Sequence, residues 1–263
     1  MQLATGRSHP FLDAPGPVAM AHRGGALSPQ NLQIENTTAA FAHAVSLGYR
    51  YLETDVRTSR DGVVHVFHDE DLSRVAGRRG SVDDLTAAEL REVLIGGQEP
   101  VPLLADVLRE FAGVCFNIDV KTDAALEPTL EVIDRADAWD RVCLASFSHA
   151  RLRRIRRLAP RAATAASPQE IAALRLGPRL GGRGTLARSG AHCLQVPLRQ
   201  GPVPVVTRRF VRHAHSQGLA VHVWTVDDPD LMEELLRVGV DGLMTDRPEV
   251  LREVLISRGE WPA

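Results

Sequence analysis

The chain has 263 residues, of which 44% are hydrophobic and 24% charged, and its formal net charge at pH 7 is -2. These values suit a globular protein with one large core, and they give no general attraction to nucleic acid or to anionic membranes. No apolar run approaches the roughly 20 residues of a membrane span, and the first residues lack an apolar signal core. We therefore expect a cytoplasmic protein without a transmembrane segment.

The first predicted elements are an arm, a strand and a helix. Residues 1–16 are rich in proline, glycine and polar side chains, which predicts a loosely held N-terminal arm. A short apolar strand over 18–21 ends at His22, and a helix is predicted from a cap at Asn36 or Thr37 to Leu47.

The next predicted element is a strand that folds back on itself. A strand over 51–56 is followed by an Asp61-Gly62 turn and by a second apolar run over 63–67. The stretch between the two runs is too short for a parallel crossover, so the second run is predicted to return antiparallel to the first. This hairpin delivers His68 to the end of the strand that began it.

Strands and helices then alternate to the end of the chain, which predicts parallel βα units. The predicted strands cover 114–121, 142–146, 162–165, 192–196, 219–225 and 241–244, and the predicted helices cover 103–111, 125–136, 149–158, 168–176, 207–217, 228–238 and 248–257. With the returning arm of the hairpin set aside, eight strands remain. The sequence therefore predicts a single TIM (β/α)8 barrel over 17–258, with a small insertion at about 69–101 after the hairpin of the second strand.

The polar side chains that could take part in a reaction lie at the ends of predicted strands. Active sites of such barrels lie at the C-terminal ends of the strands. Glu53 and Asp55 share one face of their strand because side chains alternate with a period of two. The residues concerned are His22, Glu53, Asp55, Asp119 and Lys121.

Three of these residues are acids from two strands. Glu53, Asp55 and Asp119 would repel one another on one face unless a cation lay among them, and all-oxygen ligands favour Mg²⁺ or Ca²⁺. The alternative is that they form salt bridges with arginines. Both interpretations stay open from the residues alone.

The candidate acid–base and phosphate-binding groups are two histidines and two cations. His22 and His68 could exchange protons near neutral pH, although a histidine at a strand end can also be purely structural. Arg23 and Lys121 could hold a phosphoryl group or compensate the carboxylates. Among 31 Lys and Arg residues, Lys121 is the only lysine. Trp224, on the predicted strand 219–225, either lines the pocket or belongs to the core.

Taken together, the motifs resemble the glycerophosphodiester phosphodiesterase family. The matching pieces follow one another in order over residues 20–250. They are His22-Arg23-Gly24, Glu35-Asn36-Thr37, Glu53-Thr54-Asp55-Val56, Thr58-Ser59-Arg60-Asp61-Gly62, Val66-Phe67-His68-Asp69, Pro102-Leu103-Leu104, Asn117-Ile118-Asp119-Val120-Lys121, Trp224-Thr225-Val226-Asp227, Gly239-Val240-Asp241-Gly242 and Thr245-Asp246-Arg247-Pro248.

This resemblance implies a TIM barrel that uses a divalent cation to hydrolyse glycerophosphodiesters to glycerol 3-phosphate and an alcohol. The substrates are small molecules. By position, His22 and His68 correspond to the acid–base pair and Arg23 and Lys121 to phosphate ligands. Glu53 and Asp55 correspond to metal ligands. The family's third ligand is usually glutamate, where this chain has Asp119.

Three alternatives to this function remain. The same barrel could act as a lysophospholipase D or as a phospholipase C-like enzyme, or it could be a non-catalytic barrel that binds a phosphate metabolite. A further possibility is docking through the arginine-rich helix at 149–158. The head-group, the native metal, the first nucleophile and the oligomeric state are open.

Overall fold

The computed structural model describes residues 9–176 and 189–262. Its centre is a ring of eight parallel strands, paired side by side in one continuous order. The ring closes where Ala165, just after the fifth of these strands, bridges in parallel to Cys193. The strands of the ring are β1 (Val18–His22), β2 (Tyr51–Thr58), β6 (Cys115–Val120), β7 (Val142–Ala145), β8 (Ala163–Thr164), β9 (Cys193–Pro197), β12 (Ala220–Trp224) and β13 (Gly242–Thr245). The predicted TIM barrel is confirmed.

Eight helices cover the outside of the ring: seven connect successive barrel strands, and the eighth follows the last strand. Their first residues follow local capping signals. Thr37 caps the first helix by accepting a hydrogen bond from the backbone N–H of Ala40, and Asp228 caps the seventh, which has Pro229 in its first turn. The helices are α1 (Thr38–Ser46), α4 (Leu104–Glu110), α5 (Leu126–Arg135), α6 (His149–Leu158), α7 (Pro168–Leu176), α8 (Arg208–Ser216), α9 (Pro229–Val238) and α10 (Pro248–Ser257). Among the described helices, none has the length and the apolar character that crossing a membrane requires.

The returning arm of the predicted hairpin is β3 (Val64–Val66), which pairs antiparallel with β2. The pairing sets Val56 opposite Val66 and Thr58 opposite Val64. This hairpin stands outside the ring, as the short connection required, and it brings His68 back to the C-terminal end of β2.

The chain between β3 and α4 forms a small separate layer. It contains α2 (Ser73–Ala76), α3 (Ala87–Arg91) and the antiparallel pair of β4 (Leu94–Ile95) and β5 (Glu99–Pro100). These pieces share a hydrophobic cluster of their own, built on Phe67, Leu72, Val82, Leu90, Val93, Ile95 and Val101. A cluster of this kind holds the segment in a defined shape beside the C-terminal end of the barrel.

The start of the chain differs from its prediction. Residues 1–8 of the proposed arm lie outside the described residues, but residues 9–13 are packed against the barrel. Phe11 is fully buried in the cluster inside the ring that contains Met20 and Met244, and its ring meets that of Tyr51 edge-on at 5.3 Å. For these residues the prediction of a loose arm is wrong, because one aromatic side chain fills the N-terminal end of the barrel.

The arginine-rich helix α6 is an outer helix of the barrel. Leu152 and Ile155 face the core, and several of its arginines pair with acids of neighbouring elements. The ion pairs are Arg151 with Asp123, Arg154 with Glu127 and Arg156 with Glu170. These contacts account for three of the five arginines of the helix.

Candidate active site

All the side chains singled out from the sequence lie on the wall of one cavity of about 800 Å³. It opens at the C-terminal end of the barrel because parallel strands end at the same edge. The neighbouring strands β1, β2 and β6 supply most of the polar groups, with His22 beside Glu53 and Asp55 beside Asp119 in the strand register. The eight residues are His22, Arg23, Glu53, Asp55, His68, Asp119, Lys121 and Trp224.

His22, at the end of β1, is held by two carboxylates. Its Nδ1 lies 2.7 Å from an oxygen of Asp246, which follows β13, and its Nε2 lies 3.7 Å from Glu53. Burial opposes protonation of the ring, but Glu53 and Asp246 outweigh it and raise the pKa of His22 to about 9. The bond to Asp246 orients the ring and leaves Nε2 for contact with a bound molecule.

His68, at the end of the hairpin, has a parallel arrangement. Its Nδ1 lies 2.5 Å from Asp69, and its backbone oxygen accepts a hydrogen bond from Arg57. Burial lowers the pKa of His68, with Asp55 and Asp69 opposing the shift. The two imidazoles are thus each fixed through Nδ1 by a carboxylate, and their pKa values move in opposite directions from the ordinary value.

The turn after β1 places Arg23. This residue has a positive φ of 52°, and Gly24 follows with φ 84° in a space where a Cβ atom would lie 2.8 Å from that of Ala40. The Arg23 guanidinium contacts Glu35 at 2.9 Å and approaches Asp55 at 3.3 Å. The close approach of the turn to α1 explains the glycine at position 24, and at Gly25, with φ 91°, an added Cβ atom would lie 2.6 Å from Pro248 of α10.

Lys121 lies between two carboxylates of adjoining strands. Its ammonium is 2.7 Å from Asp55 and 2.7 Å from Asp119. Burial opposes its charge, but the two acids raise the pKa of Lys121 above its ordinary value. Asp55 responds in the opposite sense: burial would raise its pKa, and Lys121 and Arg23 lower it. The ammonium of lysine is a compact point charge that serves both acids at once, whereas a guanidinium presents a fixed, planar fork of donors.

The pKa values of Glu53 and Asp119 are raised in this buried and crowded site. Burial, with repulsion from Asp55, raises the pKa of Glu53 to about 7. Burial also raises the pKa of Asp119, despite its contact with Lys121. Both shifts show that the resident cations do not fully compensate the acids.

Arg74 of α2 connects the two sides of the site, a role that no sequence signal indicated. It donates to Asp69 at 2.6 Å and to both oxygens of Glu35 at 2.9 and 2.7 Å. Asp69 in turn holds His68, and Glu35 holds Arg23. One guanidinium therefore links the supports of a candidate acid–base residue and a candidate phosphate ligand.

The chain matches the model of the glycerophosphoryl diester phosphodiesterase family over residues 22–250. It belongs to that family. The chain is 43% identical over 254 residues to the probable glycerophosphodiester phosphodiesterase 2 of Mycobacterium tuberculosis, covering 95% of each protein. The resemblance seen in the motifs is confirmed, and so is the enzyme class: the chain is a phosphoric diester hydrolase, not a non-catalytic binding barrel.

Solved structures of family proteins share the fold. The putative glycerophosphoryl diester phosphodiesterase of Silicibacter pomeroyi superposes with a TM-score of 0.79 at 25% identity, over 97% of this chain and 100% of the other. A phosphodiesterase of Oleispira antarctica, in complex with the product sn-glycerol-3-phosphate, superposes with a TM-score of 0.74 at 25% identity, over 91% and 97% of the two chains.

The family resemblance implies a divalent cation, and the acidic residues fit one by chemical type. Asp119 Oδ1 is buried without a hydrogen-bond partner, and Glu53 is destabilised as an anion. Such oxygens suit a hard cation. However, Lys121 now bridges Asp55 and Asp119, and within the described part of the chain no group of three or more His, Cys, Asp or Glu side chains is arranged to hold an ion. Lys121 contacts one oxygen of each of these two acids, and Asp119 Oδ1 is the oxygen that it leaves without a partner.

Sequence reasoning named the side chains that face the cavity but missed most of their supports. Asp246, Glu35 and Asp69 stand in the quoted motifs without a role of their own. Of the two predicted candidates for the helix cap, Thr37 is the cap, and Asn36 instead donates to Asp55 at 3.0 Å. The motifs Glu35-Asn36-Thr37 and Thr245-Asp246-Arg247-Pro248 were the available signals for these residues.

Proposed function

We propose that this chain hydrolyses glycerophosphodiesters to sn-glycerol 3-phosphate and an alcohol, with His22 and His68 as the acid–base pair. The observation that carries the proposal is the matched support of the two rings. Each is held at Nδ1 by a carboxylate, and both line the cavity that also presents Arg23 and Lys121. Binding alone does not need two oriented imidazoles, whereas cleavage of a phosphodiester needs both a proton acceptor and a proton donor.

In this proposal Arg23 and Lys121 bind the anionic phosphodiester. Both cations already lie beside Asp55, so their charges are held in place before the substrate arrives. One histidine accepts a proton from the attacking hydroxyl as the new P–O bond forms. The other donates a proton to the leaving alcohol oxygen as the old P–O bond breaks. Water or the glycerol 2-hydroxyl can serve as the first nucleophile, and trapping of a cyclic phosphate would distinguish them.

Glu53, Asp55 and Asp119 would hold the divalent cation, Mg²⁺ or Ca²⁺. Such an ion, when bound, stabilises negative charge on phosphoryl oxygens. The raised pKa of Glu53 and the partnerless oxygen of Asp119 support this assignment.

The relatives support the substrate class. The Mycobacterium tuberculosis relative is named a probable glycerophosphodiester phosphodiesterase, and the Oleispira antarctica structure contains sn-glycerol-3-phosphate as product. A product of that kind combines one phosphate with two small hydroxyl groups, which suits the polar end of the cavity.

The test is hydrolysis of a panel of glycerophosphodiesters with Mg²⁺, Ca²⁺, Mn²⁺ or a chelator. We expect turnover that the chelator abolishes, and a loss of at least about 10²-fold in kcat for His22→Ala and for His68→Ala. His213→Ala, on the outer helix α8 away from the cavity, is the matched control and should retain activity. A fully active His22→Ala/His68→Ala double variant would overturn the acid–base assignment. Turnover in the presence of the chelator would overturn the proposal that the reaction requires a divalent cation.

A further inference from the structure

The cavity has two chemically different ends, and only one is used by the proposed reaction. Next to the charged end the cavity has an apolar surface that we name the apolar wall, made of Phe147, Ile171, Ala172, Pro197, Val203 and Val205. Phe147 follows β7, two of the residues lie on α7, and the last three lie on β9 or in the chain just after it. The wall is continuous with the site because the same cavity contains both ends.

The apolar wall begins directly beside the proposed phosphate ligands. The Phe147 ring lies 5.8 Å from the Lys121 ammonium and packs edge-on against Trp224 with ring centres 5.9 Å apart. A phosphate held by Lys121 therefore has the wall within reach of whatever group it carries. The glycerol phosphate unit alone has no long apolar group that would use this surface.

Two residues of the wall are exposed although they are large and apolar. Phe147 is 65% exposed and Val203 is 45% exposed. Covering such surface with an apolar group is favourable by about 25 cal/mol per Å², so an apolar part of a bound substrate gains free energy here.

The wall is also held in shape. Val203 belongs to a short hairpin with strands of two residues each, in which β10 (Arg199–Gln200) pairs antiparallel with β11 (Val203–Pro204). Arg175 at the end of α7 donates a hydrogen bond of 2.8 Å to the backbone oxygen of Pro204. This bond ties the hairpin to α7, so both sides of the wall face the same space.

The charges around the wall argue against a cationic group bound on the wall itself. Among the described residues that line the cavity away from the catalytic groups, the charged one is Arg175. A quaternary ammonium would meet this cation, and an aliphatic chain has no charge to oppose it. The volume of about 800 Å³ is near the upper end of the roughly 300–1,000 Å³ of small-molecule sites, and leaves room for a chain.

We propose that the apolar wall binds an aliphatic chain of the substrate, so that the preferred glycerophosphodiesters carry a long alkyl or acyl group. This inference rests on the proposed function and deepens it. The chain can be esterified to the glycerol, as in a lysophospholipid, or it can be the alcohol that leaves. The two sources share the chemistry that the wall recognises.

The experiment measures kcat/KM over two series of increasing chain length, kept below their critical micelle concentrations. One series is glycerophosphoalkanols, and the other is lysophosphatidylcholines, with glycerophosphocholine and glycerophosphoethanol as substrates without a chain. We expect kcat/KM to rise in at least one series by about two- to fourfold for each methylene that reaches the wall, then to level off. The series that rises identifies where the chain is attached.

Variants locate the effect. In Ile171→Asn and in Val203→Ser the ratio of kcat/KM for long to short chains should fall by about tenfold or more over four methylenes. Ile256→Ser is the matched control, because Ile256 is an exposed apolar residue of α10 far from the cavity. Its ratio should equal that of the unmodified protein. Since Val203 is exposed, its substitution tests the wall even if Ile171→Asn folds poorly.

A flat dependence on chain length in both series, with turnover of the short substrates, would overturn this inference and leave the proposed function standing. A preference for glycerophosphocholine over chain-bearing substrates would also overturn it, in favour of a choline site at Phe147 and Trp224. Failure to hydrolyse any substrate would overturn the proposed function, and this inference with it.

Discussion

The charged end and the apolar wall of the cavity are built in different ways. At the charged end, each cation and histidine contacts an acid: Lys121 pairs with Asp55, His22 with the distant Asp246, and His68 with its chain neighbour Asp69. Several residues of the apolar wall instead belong to helix α7 and to the short hairpin of β10 and β11. The side chains of Phe147 and Val203 in this wall are exposed.

The difference follows from the physics of the two ends. Buried charges are tolerated only with partners in good geometry, so the charged end must be held by several elements at once. Apolar contact has no direction, so residues of the wall can be exchanged at little cost to the rest of the barrel. We therefore expect the reaction to be set by the charged end and substrate choice by the wall. The predictions below test that division.

The largest contrast should come from removing one cation at each end. Lys121→Met leaves Asp55 and Asp119 buried without their shared partner, and should lower the free energy of unfolding by about 3 kcal/mol. Arg175→Met removes the cation beside the apolar wall and should change the free energy of unfolding by less than about 1 kcal/mol. Urea unfolding in chelator measures both, and equal effects would break the distinction between the two ends.

Arg74 tests how far the charged end depends on its supports. Arg74→Ala removes the link between Asp69 and Glu35, and should lower kcat by about 10- to 100-fold, as loss of an orienting partner does at other polar sites. Arg74→Lys should recover part of the loss, because one ammonium can replace one of the contacts. Arg79→Ala, an exposed arginine nearby, is the control. Unchanged kcat in Arg74→Ala would show that the two sides of the site are positioned independently.

Asp119→Glu tests the third acidic position of the charged end. The added methylene restores the residue usual in the family and extends a carboxylate toward the other acids. We expect the Kd for Mg²⁺ or Ca²⁺, measured by calorimetry, to tighten by about threefold to tenfold. Asp119→Asn is the opposing variant and should weaken it. Identical metal affinity in all three proteins would mean that Asp119 does not bind the ion.

The smallest effect concerns acid stability. Burial would raise the pKa values of Asp69 and Glu35, but hydrogen bonds from Arg74 lower them, that of Asp69 to about 2. A carboxyl with a depressed pKa adds stability that is present above its unfolded pKa of about 4 and is lost as the pH falls through the folded value. The stability difference between the unmodified protein and Arg74→Ala should therefore be larger at pH 6 than at pH 2.5. Urea unfolding at the two pH values measures it, and a difference that does not depend on pH would contradict the assignment.

Much of the architecture followed from local patterns. The helix boundaries of α6, α7 and α10 were predicted to the residue, and the short Asp61-Gly62 connection correctly separated β3 from the ring. Such features depend on neighbouring residues alone: a cap, an apolar period or a loop too short to cross a sheet. Phe11 is the counterexample, since the polar composition around it concealed a side chain that is fully buried.

The sequence by itself determined which side chains reach the cavity, because strand ends and the period of two place His22, Glu53, Asp55, Asp119 and Lys121 at one edge. Only the tertiary structure decided what holds them. Asp246 supports His22 from 224 positions away, and Arg74 joins two motifs across the site. The apolar wall was likewise invisible, since its residues lie on separate elements and become one surface only when the barrel closes. Long-range contacts of this kind leave no period or spacing in the chain.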